Sequence, residues 1–278
     1  MPVKTLRDKI VVITGAASGI GRAAALAFAK RGAHIVAADL NAGALEPLGR
    51  GVTALGVRFR PFTVDVADEK AMKEFSAAVT ADGAVPDVLI NNAGIGYMGA
   101  FLDSDLAHWR RVLAVNVMGV VHGCYFFVPG MIAAGGPRHV LNVASAAGNF
   151  PVPSLAAYST SKAGVKSFSE VLRMELRDTE VSVTTVCPGI IDTPIVSFSG
   201  TNAAPTVSAE RVAKLQAYYK TKGCSPDVVA EDMVRASLDG RDMLLTGPSA
   251  KFGYYLTRLS PRLTRAATIR IAQESGYL

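Results

Sequence analysis

Half of the 278 residues are hydrophobic, mean hydropathy is +0.28 and only 19% are charged, a composition that supports a large core and excludes general disorder. The net charge of +6 is uneven: in residues 251–278, Lys251, Arg258, Arg262, Arg265 and Arg270 face only Glu274, leaving +4 there. The near-neutral remainder excludes diffuse nucleic-acid binding.

The chain opens on "MPVKTLRDKIVVITG", a polar lead into an apolar strand, without the apolar core and cleavage site of a signal peptide. Short β-branched runs then alternate with helical patterns. "IVVIT" (10–14) precedes "GIGRAAALAFAKRGA", and "HIVAAD" (34–39) precedes a short polar helix. "VRFRPFTVD" (57–65) leads to the helix "DEKAMKEFSAAVTA", then to "DVLINNAG" (87–94). Between Arg111 and Arg138 no charged residue occurs, a length that could span a bilayer. Asn116, His122, Pro129 and the closing "AAGGP" instead predict a buried helix followed by a loop. "HVLNVAS" (139–145), a helix over 156–177, "VSVTTVCPG" (181–189), the helix "SPDVVAEDMVRASL" and the strand "DMLLTG" complete the pattern. Continuous apolar strands, each followed by a helix, predict an α/β fold: one doubly wound parallel sheet with helices on both faces. We expect one doubly wound domain over residues 1–250, with a lid at about 194–225, and a basic extension over 251–278.

Cys124, Cys187 and Cys224 are odd in number and form no C-x-x-C pair, which fits a reducing compartment and a cytoplasmic location. His34, His108, His122 and His139 have no metal-ligand spacing, so no metal is expected.

"TGAASGIGRA" (14–23) joins the first strand to the first helix. Gly15 permits a tight turn, Gly19 a close approach of backbone to phosphate, and Gly21 close packing of helix on strand. Free N–H groups at the helix start then face the anion. At the end of the second strand, Asp39 can accept both ribose hydroxyls and repel a 2′-phosphate. It is also a candidate helix N-cap, a role compatible with ribose binding. No Lys or Arg lies between Gly15 and Gly19, so NAD is expected over NADP.

Tyr158 and Lys162, in "AAYSTSKAG", share a helix face at four-residue spacing, among small neighbours that leave room for ligands. An alcohol gives up hydride as its proton leaves, so a base must stand near its oxygen. A free tyrosine is a poor base, with a pKa near ~10, and an adjacent ammonium lowers it. Ser145, at the carboxyl end of its strand, suits hydrogen bonding to the substrate oxygen, and Asn116 suits holding a water. Each residue also has a purely structural reading: Ser145 as a cap, Asn116 as partner of a buried backbone group, Tyr158 as a core aromatic.

With "NNAG" (91–94), Asn116 in "VNV", "NVAS" ending at Ser145 and "PGIIDT" (188–193), the ordered set resembles the short-chain dehydrogenase/reductase family over about residues 7–247. The resemblance implies a Rossmann fold over residues 1–250, a nicotinamide cofactor, a reaction between alcohol and carbonyl, and catalytic positions at Asn116, Ser145, Tyr158 and Lys162. It implies cofactor contacts from Gly15, Ser18, Gly19, Ile20, Gly21, Asp39, Asp65, Val66, Asn92, Ala93, Gly94, Tyr158, Lys162, Pro188, Gly189, Ile191 and Thr193, with Asn91 in the same wall motif. Phe101, Phe150, Ile195, Val196 and Phe198 in the loops after the strands predict a hydrophobic alcohol or ketone, steroid-, retinoid- or lipid-like. A small polar carbonyl substrate and a non-catalytic NAD-binding regulator are the alternatives. The last strand lacks the Asp-Gly-Gly ending of tetrameric members, which leaves a homodimer through the central helices beside the homotetramer. In the extension, Phe252, Leu256, Leu259, Leu263 and Ala266 form an apolar stripe flanked by Arg258, Arg262 and Arg265, and Pro261 predicts two short helices. The stripe has two readings: packing on the domain or a second subunit, or peripheral contact with an anionic membrane.

Overall fold

The computed structural model describes residues 3–278. Seven strands form one parallel sheet: β1 (Ile10–Thr14), β2 (His34–Asp39), β3 (Phe59–Thr63), β4 (Val88–Asn91), β5 (Arg138–Val143), β6 (Val181–Pro188) and β7 (Met243–Thr246), in the order β3-β2-β1-β4-β5-β6-β7. The strand order reverses between β1 and β4, whose carboxyl ends therefore open a crevice, the usual ligand site of such sheets. The central strands are apolar on both faces because helices cover both. The edge strand β3 alternates with solvent and tolerates Pro61, which needs no ladder partner on its open side.

On one face lie α1 (Gly19–Ala29), α2 (Ala42–Thr53) and α8 (Pro226–Asp239), packed through Phe28, Leu48, Val229 and Met233. On the other lie α3 (Glu69–Thr80), α4 (Leu106–Leu113), α5 (Gly119–Ala133) and α6 (Ala156–Glu175), with Met72, Phe75, Phe127, Met131 and Val165 in the second core layer. Burying a side chain such as Phe28 or Phe127 contributes about 2 kcal/mol. Asn41 and Asp68 cap α2 and α3, accepting from the N–H groups of Ala44 and Ala71.

The uncharged segment is helical, as expected: α4 and α5 join through a π-turn at Ala114–Met118 into one 28-residue helix, whose most apolar window is half buried against the sheet. Beyond β6 come two single 3-10 turns and α7 (Ala209–Lys222), where a lid was expected. The extension forms two helices, α9 (Ala250–Leu259) and α10 (Pro261–Ser275), broken where Pro261 requires it, and Ser260 caps the second by accepting from Leu263 N. The expected stripe divides: Leu256 is half-buried and lines the cavity together with Phe252, whereas Leu259 and Leu263 are 84% and 61% exposed and Ala266 is exposed. The buried positions are the smaller Ala250, Gly253, Thr264, Ala272 and Ser275. Small residues let the helices approach closely over α7 and Phe150; a Cβ on Gly253 would overlap the Phe150 ring.

Candidate active site

A cavity of about 600 Å³ runs across the carboxyl ends of the strands, and its two halves are built differently. In the first half the glycine loop lies against the "NNAG" segment. Gly15 has φ +63°, and a Cβ there would stand 2.7 Å from Ala93 Cα. A Cβ on Gly21 would overlap the Gly15 carbonyl. Asn92 Nδ2 donates to the carbonyls of Thr14 (3.1 Å) and Gly15 (3.0 Å), and Thr14 Oγ1 accepts from the N–H groups of Asn92 and Ala93. Thr14, which the sequence did not single out, is thus the hinge between the two motifs. Across the opening, Gly19 faces Thr193; a Cβ on Gly19 would lie 3.3 Å from the threonine Cβ.

Asp39 accepts from Ala17 N and from Asn41 N, both at 2.9 Å, so its carboxylate pins the glycine loop to β2. It is not the helix cap; Asn41 fills that place. Asp65 accepts from Ala67 N at 2.9 Å, and Val66, Gly94, Pro188, Gly189 and Ile191 line the same half, together with Ser18 and Ile20. The glycines leave a backbone-lined cradle that any side chain would fill, next to a carboxylate with oxygen lone pairs to spare. That donor set fits the phosphates and ribose of a dinucleotide.

The second half holds Ser145, Tyr158 and Lys162, brought together from the end of β5 and from α6. Ser145 Oγ accepts from Ala147 N at 3.1 Å, so the serine caps a turn and still has its own proton to donate. Lys162 is buried, with Nζ 5.8 Å from the Tyr158 ring centroid and donating to Val143 O at 2.9 Å. Burial lowers its pKa from 10.5 to about 8. The Tyr158 phenol moves the other way: burial pushes it up to about 12, against an opposing hydrogen bond from Ser145. The lowering expected from the neighbouring ammonium is not found in the protein alone. Desolvation of the phenolate dominates, and the ammonium spends one N–H on a backbone carbonyl.

Asn116 occupies the π-turn, fully buried. Its Oδ1 accepts from Ile95 N (2.8 Å), and its Nδ2 donates to Ile95 O (3.0 Å) and Ser161 Oγ (2.9 Å). Both side-chain donor hydrogens are committed, so Asn116 braces the loop after β4 against α6. Phe150, Ile195, Val196 and Phe198 line the cavity as expected, whereas Phe101 lies outside it, against Trp109. Among the lining residues that escaped sequence reasoning are Tyr218 and Tyr219 of α7, Thr264, Thr268 and Ile271 of α10, and Tyr277 beyond it; the hydroxyls of Tyr219 and Tyr277 meet at 2.8 Å. No motif ties residues 58 positions apart. Among the described residues no three His, Cys, Asp or Glu side chains gather as metal ligands.

Comparison with known proteins agrees with this geometry. A family model described as short chain dehydrogenase matches residues 9–203. The "Probable oxidoreductase EphD" of Mycobacterium tuberculosis (strain H37Rv) is 39% identical over 269 residues, covering 95% of this chain and 45% of that protein. The chain thus spans about half the length of this curated relative. A short-chain dehydrogenase/reductase from Burkholderia phymatum, solved in complex with NAD, superposes with a TM-score of 0.86 at 30% identity, over 94% of this chain and 96% of its own. A metagenomic short-chain oxidoreductase in complex with NADP gives 0.69 at 28% identity, over 84% and 91%. With the single seven-stranded parallel sheet, the glycine cradle at the β1–α1 junction and these matches, the chain belongs to the short-chain dehydrogenase/reductase family, nucleotide-binding oxidoreductases of the Rossmann fold.

Proposed function

We propose that the protein is an NAD-dependent dehydrogenase/reductase that interconverts a hydrophobic secondary alcohol and its ketone. The observation that carries this reading is the common cavity: Ser145, Tyr158 and Lys162 line one half and the glycine cradle with Asp39 the other. The bound nicotinamide supplies the hydride acceptor or donor. Tyr158 Oη takes the alcohol proton in oxidation and returns it in reduction. Ser145 Oγ–H, which the turn contact leaves uncommitted and which faces Tyr158, donates to the substrate oxygen as charge develops on it. Lys162 keeps two N–H donors for the cofactor ribose and for the field at Tyr158. Asn116 acts through position, holding Ile95 and Ser161, and through them the wall and helix that carry the reacting groups.

Preference for NAD follows from the Asp39 carboxylate, which repels a 2′-phosphate, with no cation in the loop to offset it. The apolar lining of Phe150, Val152, Ile195, Val196 and Phe198 favours a lipophilic substrate over a small polar carbonyl. A regulator that only senses the cofactor has no use for a desolvated tyrosine beside a serine and a lysine. A homodimer through the long central helix is supported by Met118, Tyr125 and Ile132, exposed apolar side chains seven residues apart, with Val171 and Met174 exposed on α6. The outward stripe of the extension, beside Arg258, Arg262 and Arg265, supports docking on an anionic membrane surface.

The test is NAD⁺ and NADP⁺ reduction against matched hydrophobic and polar secondary alcohols. Higher kcat/KM with NAD⁺ and with the hydrophobic set is expected. Preference for NADP⁺ removes the role given to Asp39, and preference for the polar set removes the substrate class.

A further inference from the structure

The chain end is tied down at several points. Gly276 turns at φ +98°, and Gly276 N and Leu278 N both return to Ala272 O. Arg211 donates to the carbonyls of Gly276 (3.3 Å) and Tyr277 (2.6 Å), Ser154 Oγ donates to the Tyr277 carbonyl (2.6 Å), and Lys214 Nζ donates to Gln273 O (2.9 Å). A Cβ on Gly276 would lie 2.8 Å from Arg211 O, so the fit against α7 is close. All these contacts hold the backbone and leave the Tyr277 side chain to point inward. It is 6% exposed, in the cluster that includes Met98, Leu155, Phe198 and Tyr158.

There its hydroxyl meets that of Tyr219 at 2.8 Å, and both residues line the cavity shared with Tyr158. Two phenols carry two protons and the contact between them uses one. No hydrogen bond among the described residues takes the other. That remaining proton belongs to a part-buried pair on the cavity wall, where a ligand oxygen would accept it. Burial raises the pKa of both phenols, so the pair is a neutral donor throughout the ordinary pH range.

We propose that the Tyr219–Tyr277 hydroxyl pair recognises a second oxygen on the substrate, one that does not react. The substrate is then an apolar molecule carrying two oxygens: one at the carbon oxidised beside Tyr158, the other a carbonyl, hydroxyl or carboxyl oxygen that accepts from the pair. This rests on the dehydrogenase reading of the same cavity, and it gives the chain end a specificity role. The pair moves no proton in the reaction; it positions the substrate.

The experiment uses the full chain with Tyr219→Phe, Tyr277→Phe and the double variant. The probes are medium-chain mono-alcohols and the corresponding diols and hydroxyketones of increasing oxygen spacing. Affinity is measured by calorimetry, and cofactor reduction in a separate assay. At least one two-oxygen probe is expected to bind wild type more tightly than its one-oxygen partner. Each single variant is expected to lose that advantage by roughly tenfold, to leave the one-oxygen probes unchanged, and to be matched by the double variant because the pair acts as a unit. Equal losses on both probe sets mean that the phenols only hold the fold, and overturn the proposal. So does a panel in which no two-oxygen probe is preferred, or preference that survives both substitutions. Phenol-dependent preference without cofactor reduction would keep the recognition site and remove the dehydrogenase reading.

Discussion

At the scale of single residues, burial sets the chemistry. Tyr158 stands near 12 in the protein alone, so phenolate is scarce at neutral pH and oxidation depends on forming it. Two outcomes follow. Tyr158→Phe should retain fold and cofactor affinity while turnover falls by roughly 10²–10⁴-fold, and near-wild-type turnover would remove the mechanism. In wild type, kcat/KM for alcohol oxidation should climb as pH rises above neutrality, because the free enzyme must lose the phenolic proton; a flat alkaline profile counts against Tyr158 as the base. His139 gives a separate readout of stability. It is buried between β5 and β6, with Nε2 2.7 Å from Thr184 Oγ1. Thr184 donates its own proton to Arg241 O, so the imidazole donates to Thr184 through Nε2. Burial lowers its pKa from 6.5 to about 4. The unfolded chain therefore binds the extra proton first as pH falls. Stability is complete above about 6.5, declines between there and about 4, and loses on the order of 3 kcal/mol. Urea midpoints across that window should drop in wild type and drop less in His139→Gln; equal slopes would show that His139 contributes nothing.

At the scale of elements, the site depends on three junctions. The β1–α1 turn is held by Asn92 and Thr14 and is open only because Gly15 and Gly21 lack Cβ atoms. Gly21→Ala places a methyl on the Gly15 carbonyl, and neither partner is the free end of a side chain. The loop must shift, so dinucleotide affinity should fall at least tenfold in a titration, with stability reduced by about 1 kcal/mol or more. Unchanged affinity would mean that the loop does not carry the phosphates. The π-turn between α4 and α5 is the second junction, turning Asn116 onto Ile95 and Ser161. The third is the α10 terminus clamped on α7, which delivers Tyr277.

At the scale of the whole molecule, two of the exposed apolar surfaces have an expected occupant. The Met118–Tyr125–Ile132 face should pair with a second copy: light scattering should give a dimer mass that Tyr125→Glu reduces to a monomer. A dimer insensitive to that change uses another face. The exposed Leu259 and Leu263, beside three arginines, should bind anionic vesicles at low salt, with salt weakening the contact. Leu259→Asp with Leu263→Asp keeps the buried face intact, and it should abolish cosedimentation without altering dimer mass. Full-length protein that ignores such vesicles has no membrane role for this stripe.

The sequence by itself determined what is local. Alternating apolar runs and helices specify a parallel sheet, because strands covered on both faces must be apolar throughout. Gly15, Gly19 and Gly21 specify the cradle, since their geometry is a property of a few consecutive residues, and Pro261 specifies the break between α9 and α10. Strand ends shifted by a residue or two, as at β3, because pairing with neighbours decides where a ladder stops. Only the tertiary structure decided the rest. Whether an amphipathic stripe faces in or out depends on which side packs more closely, and in the extension the small residues won. The acidity of Tyr158 depends on how much water surrounding elements remove, which no four-residue spacing encodes. The meeting of Tyr219 with Tyr277 needs the clamp of α10 on α7, a contact that exists only once the chain has folded back on itself.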